Sequence, residues 1–320
     1  MSTTDPQILQ VAAAHGLDLD PDSVEVNEMG LDFRVALAIT ASSSTATGTA
    51  SSTTTSTASS TNVAEAGQRW VLRLPRRPDA MERAEVEGRL LAAVRPHLEV
   101  AIPDWRIHSR DLIAYPALPG EPGLTLDGSG APVWHLDIAS ARYARSLGAF
   151  LARLHAVDPA EAAGAGVEVL SPDAVRQRWR QDIERVRAAF TVAPSLAQRW
   201  QAWVQEDSYW PDESVLTHGE VYPAHTLVQD EEVTAVLDWT TARVGDPAMD
   251  FAIHHAAAPP EAFEATVEEY VRRGGRVWPR FAEHCAEIMA AGPIGYGVFA
   301  LQTGAAEHRQ AAQELLDPPA

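Results

Sequence analysis

The sequence predicts an α+β protein with two parts, a small part that contains a β-sheet and a larger part that is mostly helical. Strand-like runs and one main helix occupy the chain up to about residue 120, and helical periodicity dominates from Ser140 onward. Short strand-like segments interrupt the helices between Leu216 and Trp239. At 320 residues, the chain can bury a sizeable core as one large domain or as two lobes.

The small part combines strands with one helix. The runs FRVALAIT, from Phe33, and RWVLRLP, from Arg69, predict two strands of a hairpin. The segment between them is of low complexity and consists mostly of Ser and Thr, which predicts a disordered insertion at residues 40–66. The run beginning at Met81 has apolar residues at helical spacing, and PDWRIHS and DLIAYPAL predict two more strands.

The larger part is predicted to be helical around one hairpin. The segment ASARYARSLGAFLARLHAVD has a clear apolar stripe, and SPDAVRQRWRQDIERVRAAF begins with the Ser-Pro pair typical of a helix start. The strands Thr226–Val228 and Val233–Leu237 are predicted to pair and to return the chain toward its starting point. We place the boundary between the parts at residue 115, so that 1–115 form one lobe and 116–320 the other.

Composition excludes several classes of partner. The net charge of −19 argues against nucleic acid and anionic membranes as partners. The chain has no apolar run of about 18 residues that could span a membrane, and the segment from Met1 lacks the features of a signal peptide. We therefore expect a cytoplasmic protein.

Two residue counts limit the chemistry. Cys285 is the only cysteine, which excludes an intrachain disulfide and a cysteine-rich zinc site, and we expect it to be a buried thiol. The 25 basic residues are all arginine. A basic side chain that contacts a phosphate with a permanent positive charge must therefore be an arginine, and a Schiff-base lysine is excluded.

The residues from Leu216 to Trp239 carry the chemically suggestive groups. The tripeptide His218-Gly219-Glu220 precedes the predicted hairpin, His225 lies at its start, and Asp238 follows it. A phosphotransferase needs one carboxylate to accept the proton of the attacking hydroxyl and another to hold a metal at the phosphates. A zinc site at His218, Glu220 and His225 is an alternative, but the helical histidine pair around a glutamate is missing.

With these motifs in place, the chain resembles the macrolide 2′-phosphotransferases, a branch of the antibiotic phosphotransferases with a protein-kinase-like fold. The likeness covers nearly the whole chain and rests on the segments RWVLRLPRR, IPDWRIHS, LARLHAVD, SYWPDESVLTHGE, VLDWTTARVGDPAMDF and GGRVWPR. The resemblance implies a bilobal fold, with a nucleotide-binding lobe at 1–115 and, at 116–320, a hinge and helical lobe with the catalytic loop and acceptor pocket.

The resemblance also implies catalytic and metal-binding roles. Asp238 and His225 correspond to the residues that hold Mg²⁺, directly or through water. Arg73 lies where kinases place a phosphate-contacting lysine, and a guanidinium can meet phosphate oxygens in a bidentate manner. Glu87 corresponds to the helix glutamate that orients this cation, although a solvent-facing glutamate is the alternative. Glu220 corresponds to the catalytic base.

The nucleotide contacts follow from the same resemblance. Gly30 and Asp32 correspond to the loop over the phosphates. Tyr115, Ala117 and Leu118 correspond to the hinge, where backbone groups meet the purine. The resemblance implies GTP as the preferred donor, while the residues themselves leave GTP and ATP open.

Several other polar residues are expected to be structural. Asp246 and Asp250, in GDPAMDF, resemble a pair that braces the catalytic loop of the family. His155, His254 and His255 are expected to be packed or capping histidines rather than ligands.

Glu220 departs from the family pattern, in which this position is an aspartate. One additional methylene displaces the carboxylate by more than an ångström, and a misplacement of about 1 Å can lower a rate by ~10²-fold. Phosphoryl transfer depends mainly on positioning and charge neutralisation, which the other groups can still supply. We therefore expect an attenuated enzyme rather than an inactive one.

The acceptor is expected to be a macrolide, a large apolar ring that bears an amino sugar. A hydrophobic concave surface would suit it, and Met289, Tyr296 and Phe299 are candidates to line that surface, with helix packing as the alternative. Two other functions stay open: a catalytically silent, kinase-like nucleotide-binding protein, and a kinase for another hydroxylated small molecule such as an aminoglycoside. We expect a monomer.

Overall fold

The computed structural model of the chain describes residues 6–28, 32–41 and 65–318. The chain divides into two compact units, Met1–Leu91 with Ile102–Leu118 as unit 1 and Ala92–Ala101 with Pro119–Ala320 as unit 2. Most of the predicted disordered insertion at 40–66, namely residues 42–64, lies outside the described residues, and so does Gly30.

Unit 1 is built on an antiparallel sheet with the strand order β1-β2-β3-β5-β4. Its strands are β1 (Glu25–Asn27), β2 (Phe33–Ile39), β3 (Arg69–Pro75), β4 (Ile107–His108) and β5 (Ile113–Pro116), and its helices are α1 (Pro6–Ala14) and α2 (Pro78–Val94). The predicted hairpin is confirmed, since Phe33 pairs with Pro75 and Ile39 with Arg69. Because strand side chains alternate between the two faces, Trp70 and Leu72 point together into one buried core.

Unit 2 contains short strands and most of the helices. Its strands are β6 (Glu121–Pro122), β7 (Leu124–Leu126), β8 (Pro132–Trp134), β9 (Val215–Thr217), β10 (Thr226–Gln229), β11 (Glu232–Val236) and β12 (Arg243–Gly245). Its helices are α3 (Ala141–His155), α4 (Pro159–Ala165), α5 (Pro172–Ala189), α6 (Pro194–Gln205), α7 (Met249–Ala257), α8 (Pro260–Arg272), α9 (Phe281–Ala290), α10 (Gly292–Thr303) and α11 (Ala306–Leu316).

Helix α3 is the central helix of unit 2. The Ser140 hydroxyl accepts a hydrogen bond from the Tyr143 amide and so caps the first turn. The predicted apolar stripe is confirmed, because Tyr143, Leu147, Leu151 and Leu154 are all buried. The stripe packs α3 against α8 and β11, which gives the strands of unit 2 a rigid support.

Two antiparallel strand pairs position the residues singled out in the sequence. Strand β9 pairs with β12, with Leu216 opposite Val244, and β10 pairs with β11, with Thr226 opposite Val236. The predicted pairing of the second hairpin is therefore confirmed. The segment that follows β9 and the segment that follows β11 carry the candidate acidic residues.

Two further expectations can be compared with the structure. Cys285 is buried, as expected, and burial raises the pKa of its thiol. Over the described ranges 6–28, 32–41 and 65–318, none of the helices has the length and apolarity needed to cross a lipid bilayer.

Candidate active site

The loop at 218–220 follows strand β9 and is held from behind by one buried carboxylate. Asp250, on helix α7, accepts hydrogen bonds from the His218 amide at 2.9 Å and from the Gly219 amide at 2.6 Å. Its Oδ2 also lies 3.1 Å from Nε2 of His155, which is buried. The expectation that Asp250 braces this loop therefore agrees with its contacts, and His155 has a packed, structural position.

His218 connects the loop to the strand that leads to Asp238. Its Nε2 lies 2.8 Å from the Leu237 carbonyl, which can only accept, so Nε2 carries the proton. Its Nδ1 then accepts from the Glu220 amide at 3.4 Å. The side chain is fully buried, and burial lowers the pKa of His218, so that the neutral imidazole is favoured.

Gly219 is required by the backbone at this point. Its φ is +87°, a region that residues with a side chain rarely adopt. A Cβ built on it would lie 2.8 Å from the Thr241 carbonyl oxygen, which is a backbone atom and cannot move aside easily. The loop conformation therefore depends on glycine.

Glu220, His225 and Asp238 lie together at one end of the β10–β11 hairpin. Nδ1 of His225 lies 3.1 Å from the Glu220 carbonyl oxygen, so Nδ1 is the protonated nitrogen and Nε2 carries the lone pair in the neutral ring. Nε2 is directed toward Asp238 and lies 3.7 Å from its Oδ2. The predicted proximity of His225 and Asp238 is present in the structure.

Electrostatics favour a proton on Glu220 more than in water. Burial raises the pKa of Glu220, the nearby His225 lowers it, and the charge of Asp238 raises it. The pKa of Tyr222 is raised as well, first by burial and then by the charges of Glu220 and Asp238. A carboxylate with a raised pKa is a stronger proton acceptor, which suits a general base.

His225 and Asp238 can supply part of the coordination shell of a Mg²⁺ ion. Among the residues that the structure describes, no three His, Cys, Asp or Glu side chains converge to form a full metal cage. Mg²⁺ prefers oxygen ligands and is usually held by one or two carboxylates together with water and substrate phosphates. The partly exposed Asp238 carboxylate is such a ligand, and the lone pair on His225 Nε2 can bind the metal directly or accept a hydrogen bond from a metal-bound water.

In unit 1, Arg73 and Glu87 form a buried ion pair. Arg73 Nη1 lies 2.9 Å and 3.1 Å from the two carboxylate oxygens of Glu87. Glu87 is only 2% exposed, which excludes the solvent-facing alternative. The guanidinium also lies over the ring of Phe33, 4.3 Å from its centroid, so both partners are fixed in place.

The residues proposed to contact nucleotide differ in their burial and in their hydrogen bonds. Asp32 Oδ1 accepts from Arg77 Nη2 at 2.6 Å. The Tyr115 side chain is buried in the second core of unit 1, and Leu118 is partly buried. The Ala117 amide donates to the Arg69 carbonyl at 2.8 Å.

The three acceptor candidates lie on two helices of unit 2. Met289, on α9, is 38% exposed. Tyr296 and Phe299, on α10, both contact His308 on α11, and the Tyr296 hydroxyl is 3.1 Å from His308 Nδ1. Tyr296 and Phe299 thus contribute to helix packing while each keeps a partly exposed surface.

Sequence reasoning missed one residue of this site, Thr240, and the structural role of a second, His218. Thr240 donates a hydrogen bond to Asp238 Oδ1 at 2.5 Å, and His218 joins Glu220 to Leu237. The first could have been found from the spacing, because Asp followed two residues later by Thr is a common local hydrogen-bonding pattern. Asp246, in contrast, bonds to His284 at 2.6 Å and to the Ala248 amide, and so braces α9 and α7.

Comparison with known proteins gives the family. The model of the phosphotransferase enzyme family, APH, matches residues 56–284. The crystal structure of the macrolide 2′-phosphotransferase MphH from Brachybacterium faecium, an apoenzyme, is 54% identical, with a TM-score of 0.88 and coverage of 98% of both chains. A structure of macrolide 2′-phosphotransferase type I is 36% identical, with a TM-score of 0.85 and coverage of 100% of both chains.

A curated relative extends the likeness to another bacterium. The uncharacterized protein YcbJ of Bacillus subtilis strain 168 is 37% identical over 314 residues, which is 97% of this chain and 95% of that protein. These matches confirm the predicted kinase-like α+β fold and the predicted phosphotransferase activity on an alcohol group. The chain belongs to the phosphotransferase enzyme family, APH.

Proposed function

We propose that this enzyme transfers the γ-phosphate of a nucleoside triphosphate to the 2′-hydroxyl of a macrolide amino sugar. The observation that carries the proposal is the cluster of Glu220, His225 and Asp238, in which a base candidate and two metal-holding candidates meet within one loop and hairpin. The similarity to two macrolide 2′-phosphotransferases along nearly the whole chain supports the choice of acceptor.

The reaction requires few protein groups. The acceptor oxygen attacks the γ-phosphorus, the bond from that phosphorus to the bridging oxygen breaks, and a nucleoside diphosphate leaves. Glu220 accepts the proton of the hydroxyl, and its raised pKa makes it a competent acceptor. Asp238 and His225 hold Mg²⁺, which when bound neutralises charge on the phosphate oxygens.

On the donor side, Arg73 contacts a phosphate and Glu87 fixes the guanidinium for that contact. The contact of Arg73 Nη1 with both carboxylate oxygens of Glu87 supports this role, because it fixes the orientation of the guanidinium. We propose GTP as the preferred donor. Asp32, Gly30, Tyr115, Ala117 and Leu118 remain proposed nucleotide contacts.

On the acceptor side, Met289, Tyr296 and Phe299 are proposed to contact the lactone ring. Their partial exposure supports this role, since a fully buried side chain could not contact a ligand without rearrangement. We also propose that Glu220 lowers the rate of phosphate transfer relative to an aspartate at the same position.

The experiment that tests the proposal is incubation of the purified protein with Mg²⁺, GTP or ATP, and a panel of macrolides and aminoglycosides. Mass spectrometry of each acceptor should show the gain of one phosphate for macrolides, and GTP should be consumed faster than ATP. Phosphorylated aminoglycosides alone would favour a different acceptor. Nucleotide binding with no product from any acceptor would favour the catalytically silent alternative.

A further inference from the structure

Thr240 holds one oxygen of the Asp238 carboxylate. Its hydroxyl donates to Oδ1 at 2.5 Å, and the Thr240 amide lies 3.4 Å from the same oxygen. The other oxygen, Oδ2, is the one that faces Nε2 of His225, at 3.7 Å. The two carboxylate oxygens are therefore in different environments.

From this division we infer that Thr240 is a positioning residue for the metal site, an inference that rests on the proposed function. The Thr240 hydroxyl fixes the rotation of the Asp238 carboxylate so that Oδ2 is presented, together with His225 Nε2, to the divalent cation. Thr240 does not need to touch the metal or the substrate. Groups that hydrogen-bond to a metal ligand typically change metal affinity by about 10–100-fold when they are removed.

The hydrogen bond from Thr240 acts on a partly exposed side chain. Asp238 has a φ of +56°, and its side chain is 43% exposed. His225 is held differently, because the Glu220 carbonyl fixes its ring through Nδ1. The hydroxyl of Thr240 provides for Asp238 the restraint that a backbone carbonyl provides for His225.

Three variants separate the hydroxyl from the rest of the side chain. Thr240→Val keeps the shape and removes the hydroxyl, Thr240→Ala removes both the hydroxyl and the methyl group, and Thr240→Ser keeps the hydroxyl. Thr240 is exposed, so none of these changes disturbs a core. Thr303→Val, at an exposed position near the end of α10, is the matched control.

The first measurement is the affinity for Mn²⁺ in the presence of GDP. Electron paramagnetic resonance gives the concentration of the free ion. We expect Thr240→Val and Thr240→Ala to weaken Mn²⁺ binding by about 10-fold or more. Thr240→Ser and Thr303→Val should bind Mn²⁺ much as wild type does, because the first keeps the hydroxyl and the second lies outside the proposed metal site. Wild-type affinity in Thr240→Val, or an equal loss in Thr240→Ser, would overturn the inference.

The second measurement is the Mg²⁺ dependence of turnover. In Thr240→Val, the Mg²⁺ concentration that gives half-maximal rate should rise by about 10-fold, while saturating Mg²⁺ restores most of kcat. A lower kcat with an unchanged Mg²⁺ midpoint would also overturn the inference. If wild-type protein binds no Mn²⁺ with GDP, the proposed function fails, and this inference fails with it.

Discussion

Two pairs of buried ionisable side chains, one pair in each unit, are accommodated in different ways. In unit 1, Arg73 and Glu87 are both buried and form an ion pair. In unit 2, the buried His218 and His254 have lowered pKa values, so they stay neutral, while Glu220 and Asp238 are partly exposed. Burial of Arg73 and Glu87 is compensated by their ion pair, whereas burial of His218 and His254 is accommodated by the neutral ring.

This difference separates stability from activity. Breaking a buried ion pair leaves a charge without compensation and destabilises the fold. Removing a partly exposed carboxylate leaves the fold largely intact, because water already solvates much of the group. Removal of one member of the Arg73–Glu87 pair should therefore lower the free energy of unfolding, and substitutions of Glu220 or Asp238 should act mainly on the rate.

The largest effect is expected for Asp238→Asn. The amide keeps the shape but loses the negative charge that we propose holds the metal, so kcat should fall by about 10³-fold, similar to loss of a main electrostatic group in other active sites. The melting temperature should change by no more than about 4 °C, which corresponds to roughly 1 kcal/mol. Steady-state phosphorylation and thermal unfolding measure the two quantities.

Asp230→Asn is the matched control for this variant. Asp230 lies in the turn between β10 and β11, is exposed, and has a positive φ of 51°, similar to the 56° of Asp238. Asparagine accepts such backbone angles, so any difference between the two variants reports the position of the charge. Similar rates in both variants would contradict a metal-holding role for Asp238.

The second prediction concerns stability in unit 1. Glu87→Ala leaves the Arg73 guanidinium buried without its carboxylate, and the free energy of unfolding should fall by about 3–5 kcal/mol. Glu85→Ala, at an exposed position on the same helix α2, should change it by less than about 0.5 kcal/mol. Urea denaturation, monitored by tryptophan fluorescence, measures the free energy of unfolding.

A double variant tests whether pairing is the reason. Arg73→Met combined with Glu87→Leu replaces the ion pair with apolar side chains, and stability should recover to within about 1–2 kcal/mol of wild type. Activity should not recover, because the proposed phosphate contact is absent. Equal instability of the double variant and Glu87→Ala would show that packing rather than charge pairing is at stake.

The sequence predicted those parts of the structure that depend on local pattern. The apolar stripe of α3 and the pairing of β10 with β11 both follow from side-chain period within one segment. The proximity of His225 and Asp238 follows in turn, because a hairpin returns the chain to its start. The pairing of Arg73 with Glu87 was expected from the resemblance, whereas composition alone left it open.

The missed features depend on contacts between distant or rotatable groups. The proton position on His218 is set by the Leu237 carbonyl, 19 residues away. The orientation of the Asp238 carboxylate depends on the rotamer of Thr240, which no periodicity reports. Side-chain hydrogen bonds of this kind require the folded geometry, and so a pattern of residue types can indicate the participants without indicating their roles.

The third prediction addresses Glu220 within unit 2. Because the resemblance implies an aspartate at this position, shortening the side chain in Glu220→Asp should raise kcat by up to about 10²-fold. Glu231→Asp, in the turn of the same hairpin, should leave the rate unchanged. An unchanged or lower rate in Glu220→Asp would show that glutamate is the residue suited to this loop.

The smallest effect is expected for the buried histidines of unit 2. Burial lowers the pKa of His254 to about 4, while an unfolded chain keeps a value near 6.5. Between these values only the unfolded state binds the proton, so this contribution to stability is complete above pH 6.5 and is lost as the pH falls toward 4. The free energy of unfolding should decrease by up to about 1.4 kcal/mol per pH unit from this group.

His254→Gln removes the titration and keeps a donor for Thr266. Nε2 of His254 lies 2.9 Å from the Thr266 hydroxyl, which itself donates to the Ala262 carbonyl, so the ring is the donor to Thr266. Urea unfolding at pH 7, 6 and 5 should show a shallower pH dependence for His254→Gln than for wild type. Thr266→Val, which removes the same hydrogen bond but keeps the imidazole, should lower stability and retain the steep dependence. Parallel curves for wild type and His254→Gln would mean that neutrality of this buried ring does not govern the acid sensitivity of unit 2.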